Sequence, residues 1–136
     1  MVIAAQVQPG ALKQMPWLLG TFRGIGEGTT LQEPFHERYS LADDSTLIVE
    51  SFKDSTLSGA IDTSRYEARR DSLTSVGERR YIATFISPDS VVFGPLVGAR
   101  NGFTWKKGDA TSWIAVITPL GGGASAQRTY RMMRLR

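Results

Sequence analysis

Cysteine is absent from this 136-residue chain, and histidine occurs once, at position 36. Without cysteine there are no disulfides, thiolate nucleophiles, cysteine-type zinc sites or iron–sulfur clusters. A lone histidine rules out a histidine-rich metal site and any His–His relay. A reducing, cytoplasmic setting fits this composition, and an exported mature form stays open. No apolar run approaches the roughly 18–20 residues of a membrane span. The opening MVIAAQVQPG is short and lacks a charged start, so it does not read as an intact signal peptide. Residues 1–10 read as a flexible lead-in, and 11–136 as one domain.

Helical periodicity is nearly as scarce. Its one candidate, ALKQMPWLL at 11–19, is interrupted by Pro16 and stopped by Gly20, which leaves a short or 3₁₀-like turn. Acidic charge is slightly outnumbered, with 16 Lys and Arg against 13 Asp and Glu. Arg128, Arg131, Arg134 and Arg136 crowd the C-terminus. Such a cluster suits phosphates or carboxylates, or else a solvated strand edge and tail.

What the sequence does contain is period-two alternation between turn residues. Strands are expected at 20–28, 33–41, 45–53, 57–61, 64–71, 79–86, 90–95, 102–107, 111–118 and 126–135. The turn signals include Asp43-Asp44, Asp71-Ser72, Pro88-Asp89, Lys107-Gly108-Asp109 and Gly121-Gly122-Gly123. With no βαβ unit, these point to an all-β antiparallel barrel of eight to ten strands. Closure would remove the edges that long exposed strands leave.

The stretch GTFRGIGEG at 20–28 raises the question of a phosphate loop, but its spacing and surroundings are wrong. A dinucleotide fingerprint opens a helix, whereas TTLQEPF leads into another strand. The run GGGASA at 121–126 matches G-x-G-x-x-A yet lies too near the C-terminus for a βαβ unit. At period two, Phe22, Gly24, Gly26 and Gly28 share one face of a strand. That face can bend, or admit a large side chain or a ligand.

Trp17, Leu18, Gly20, Phe22, Gly24, Gly26 and Gly28, followed by Glu33 and Phe35, resemble the opening of lipocalin-like (calycin) barrels. More narrowly, the chain is similar to small bacterial lipocalin-like domains of no assigned function, through RYEARRD (65–71), SVVFGP (90–95) and RTYRMMRL (128–135). It departs from them at Phe22, where a tryptophan is usual, and at LVGARNGF (96–103), where an acidic, His-containing segment is usual. Nitrobindin-type haem barrels share the opening, but Gln127 stands where their proximal histidine would, so haem is not expected. The resemblance implies a basic residue of the last strand packed on the first-strand aromatic, here Arg131 or Arg128 over Phe22. His36 is opposite in phase to Phe35 and Tyr39, so it is expected exposed or at the rim.

The leading expectation is non-catalytic binding of a small hydrophobic or amphipathic molecule in a barrel cavity. The candidate lining residues are Phe22, Phe35, Glu37, Tyr39, Tyr66, Phe93, Trp105, Trp113 and Arg131. An Arg or Tyr at the mouth would hold a polar or anionic head. Glu37, carried inward with Phe35 and Tyr39, would need a partner such as Arg23 or Arg69. No catalytic or metal-ligating residue and no cofactor is assigned. The rivals are a small isomerase or hydrolase using Glu37 and Tyr39, and a basic interaction module. Aromatics are not interleaved with basics on one strand face, which argues against nucleic acid. A second copy of the chain is the other partner left open.

Overall fold

The computed structural model describes residues 3–27, 33–96, 98–119 and 127–135. The chain is all-β. Ten strands close into an antiparallel barrel in the order β1-β10-β9-β8-β7-β6-β5-β4-β3-β2. They are β1 (Gly20–Glu27), β2 (Phe35–Asp43), β3 (Thr46–Phe52), β4 (Ala60–Arg69), β5 (Ser72–Val76), β6 (Tyr81–Ser87), β7 (Ser90–Pro95), β8 (Asn101–Lys107), β9 (Ser112–Pro119) and β10 (Arg128–Arg134). Among the described residues no helix is long and apolar enough to cross a membrane.

Two strand expectations are corrected. Residues 57–61 do not form a separate strand, because Leu57 and Gly59 both take positive φ, at 58° and 72°. The strand β4 starts at Ala60 and runs unbroken to Arg69. The short β5 went unseen, since its inward positions, Leu73 and Ser75, offer a single apolar side chain. Gly28 and the GGGASA run lie outside the described residues.

The 11–19 segment forms two single 3₁₀ turns, Ala11–Gln14 and Pro16–Leu18, with Pro16 opening the second. Proline suits that position because its missing N–H would have no partner there. These turns plug the barrel end where the β2–β3, β4–β5, β6–β7 and β8–β9 hairpins turn. Trp17 Nε1 donates to Pro88 O at 2.8 Å, and Leu12, Met15 and Leu18 are fully buried. Asp43 and Asp109 shape two of the hairpins by accepting hydrogen bonds from Ser45 N and Thr111 N, each at 2.9 Å.

The weakest seam is β5–β6, joined in register only at Thr74 and Ile82. Residues 3–10, expected as a flexible lead-in, run beside that seam. Ala5 N donates to Ala83 O at 2.9 Å and Val7 N to Arg70 O at 3.4 Å.

The glycine face of β1 receives a packed aromatic. A Cβ on Gly24 would fall onto the Phe35 ring, which sits edge-on to Tyr130 with centroids 5.4 Å apart. Gly24→Ala is therefore expected to push that ring aside and cost about 1–3 kcal/mol. Phe35→Leu in the same chain should recover much of the loss. A double-mutant cycle from urea denaturation checks this, and simple additivity would contradict it.

Candidate functional site

The expected alternation of β2 holds on its inner face, where Glu37 stands opposite Phe22 of β1 and Ser51 of β3. The closed half of the barrel interior is filled by rings in edge-to-face contact. Trp113 lies 5.6 Å from Phe22, 5.2 Å from Tyr39 and 6.3 Å from Trp105. Tyr66 continues the cluster at 5.1 Å from Trp105 and 5.4 Å from Phe93. Phe22, Tyr39, Tyr66, Phe93, Trp105 and Trp113 are all buried. They form a packed core that makes the floor of whatever space lies above.

Above this floor the inward side chains are only half-buried. Phe35, Glu37, Ser51, Tyr81, Asn101, Phe103, Ala115, Ile117 and Tyr130 belong to this group. Solvent therefore reaches the upper part of the interior, toward the rim where β1, β3, β5, β7 and β9 end. The β8–β9 hairpin sets Phe103 opposite Ile117 and Trp105 opposite Ala115. Polar groups punctuate the apolar wall: Tyr81 Oη donates to Asn101 Oδ1 at 2.9 Å.

Among the described residues no arginine pairs with Glu37. Tyr39 Oη donates to its Oε1 at 2.9 Å, and Ser51 Oγ donates to its Oε2 at 3.2 Å. Arg23 is on the outer face opposite His36, and Arg69 binds Glu67 at 3.1 Å. Burial raises the Glu37 carboxyl above its ordinary range; the two hydrogen bonds oppose this and nearby Asp62 adds to it. Burial, then the Glu37 charge, also raises the Tyr39 and Tyr66 hydroxyls, so both stay neutral.

The sign of the resulting pH dependence follows directly. Folded Glu37 holds its proton to higher pH than the unfolded carboxyl, which titrates near ~4.3. Stability from this group is full below that unfolded value and is lost as pH rises through the raised folded value. Glu37→Gln removes the titration. Its melting temperature is expected to gain on the parent as pH climbs from about 4. A gap between variant and parent that is flat with pH would refute the assignment.

The arginines of β10 differ from expectation. Arg134, not Arg131 or Arg128, lies over Phe22, with its guanidinium carbon 4.9 Å from the ring centroid. Register is the reason, since Phe22 pairs directly with Arg134. Arg131 stands on the outer face, bound to Glu27 at 3.2 Å and to Ser112 Oγ at 3.3 Å, apart from the interior set. With Arg131 and Arg134 so engaged, the basic terminus offers less free charge than its sequence suggested.

His36 is buried rather than exposed, at 8% accessibility. It keeps the outward phase, but Phe52 stands opposite it on β3. Arg38 covers Phe52 at 5.0 Å and is held by Glu50 at 3.0 Å. Among the described residues no three His, Cys, Asp or Glu side chains gather to hold a metal.

Sequence reasoning missed Ser51 and Asp62. Ser51 was legible in principle, being in phase with Leu47 and Val49. Asp62 was hidden by the register shift at Ser51/Phe52, which brings Asp62 opposite Ser51 and Ala60 opposite Phe52. No protein-family model, curated protein or solved structure matches this chain.

Proposed function

We propose that this barrel binds a small hydrophobic or amphipathic molecule in the upper part of its interior and does not transform it. The reading accords with the resemblance to lipocalin-like barrels. The observation that carries it is the change in burial along the inward faces: closed aromatic packing below, half-exposed aromatic and aliphatic walls above. Ligand sites are mostly apolar with a few convergent polar groups. Phe35, Phe103, Ala115, Ile117 and Tyr130 supply the first, and Glu37, Ser51, Tyr81 and Asn101 the second.

Thermal shift against a panel of flat and aliphatic lipophiles tests the proposal. A binder at 100 times its Kd adds about 2.7 kcal/mol to stability. For a domain of this size that raises Tm by several degrees. Ala115 faces the space opposite Tyr130 and Trp105, so Ala115→Phe should abolish the shift while the variant still melts cooperatively. If no lipophile raises Tm in the parent protein, the proposal falls.

A further inference from the structure

We infer that the ligand's polar head is a protonated amine, held at the upper end of β2, β3 and β4. This rests on the container reading above and specifies the class of molecule. The cross-strand register aligns Glu37, Ser51 and Asp62 in one row of the inner face. Adjacent strands are about 4.8 Å apart, so two carboxylates flank a hydroxyl across roughly 10 Å.

An acidic row alone would say little, because solvated carboxylates are common. A second feature is independent of it. Tyr66 lies two inward positions below Asp62 on β4, is more than nine-tenths buried, and its Oη has no hydrogen-bond partner among the described residues. It is close enough to Glu37 for that charge to act on it. A neutral phenol oxygen near a half-buried carboxylate can accept a hydrogen bond from an ammonium group.

Among the described residues no arginine or lysine pairs with Glu37 or Asp62. Arg38, Arg65, Arg69 and Arg131 are partners of other glutamates, Arg134 serves the closed end, and Arg128, in the inward phase opposite Ile117 at the rim, is exposed. Among the described residues Glu37 receives only the hydroxyls of Tyr39 and Ser51, one on each oxygen, so each oxygen retains a lone pair. A half-buried carboxylate of this kind repels an anionic head and gains from a cation. A cationic head thus stands where the sequence suggested a polar or anionic one held by an Arg or Tyr.

Three probes that share one ring body separate the inference from the container reading: 1-naphthylmethylamine, 1-naphthalenemethanol and 1-naphthoic acid. Titration calorimetry at pH 7 should give the amine an affinity at least ~10-fold above the alcohol, with the acid weakest. Glu37→Gln should erase the amine's advantage over the alcohol. The exposed Asp62→Asn, which has no packing role, should narrow the gap. An acid that binds as well as the amine, or a gap intact in both variants, overturns the amine assignment while the container survives. Failure of all three probes on the parent chain overturns the container and the amine together.

Discussion

Replacing Trp113 with alanine is expected to cost about 3–5 kcal/mol, the largest loss from any single side chain in this barrel. Its indole is fully buried. It touches Trp17 of the plug at 6.1 Å as well as Phe22 and Tyr39. Removing it leaves a hole bounded by rings, which cannot turn to fill it without losing contact with one another. A control follows from an oddity of the same residue. Trp113 Nε1 has no hydrogen-bond partner among the described residues, so Trp113→Phe forfeits ring volume but none of the hydrogen bonds they make. Its penalty should be well under half that of alanine. Urea denaturation should show lower midpoints at unchanged slope for both variants. A phenylalanine variant as unstable as the alanine one would mean the N–H has a role that packing does not describe.

Arg134→Met should lower stability by about 2–3 kcal/mol, or roughly 6–9 °C in Tm, large for a residue at the surface. The side chain closes the barrel three ways at once. Its guanidinium lies over Phe22, Nη1 donates to Leu19 O at 2.8 Å, and Nη2 donates to Trp17 O at 3.4 Å. Those carbonyls end the 3₁₀ plug, so the last strand, the first strand and the plug are tied by one residue. Arg134→Lys keeps the charge but not the planar fork, and should recover less than half of the loss. Amide exchange at Leu18 and Leu19 is expected to quicken in Arg134→Met before the rest of the core does. Uniform acceleration would point instead to global destabilisation. Gly20 belongs to the same device: its φ is 137°, and a Cβ there would collide with the Arg134 guanidinium.

The GTFRGIGEG stretch was legible as a strand because turn and strand signals surround it, and its glycine face was legible as a place for something large. What fills Gly24's space is Phe35, from the neighbouring strand, in the same inward phase that alternation assigned to it. The candidate site was legible by halves. The shared inward phase of Phe35, Glu37 and Tyr39 followed from period two alone. Which of the aromatics would be floor and which would be wall did not follow, because that depends on height along the barrel rather than on phase.

Local pattern alone established the all-β class, the inner and outer faces of most strands, the hairpin turns at Asp43 and Asp109, and the short 3₁₀-like segment around Pro16. Each is a local property, set within a few residues by alternation, proline geometry or a side-chain cap. Only the tertiary structure decided matters of register between distant segments. It placed Arg134 rather than Arg131 over Phe22, aligned Asp62 with Ser51 and Glu37, and covered His36 with Phe52. A shift of one residue in pairing reverses the face of every side chain on a strand, and a shift of two changes its height. Neither shift alters the local pattern, so the partners of Glu37 had to come from the closed barrel itself.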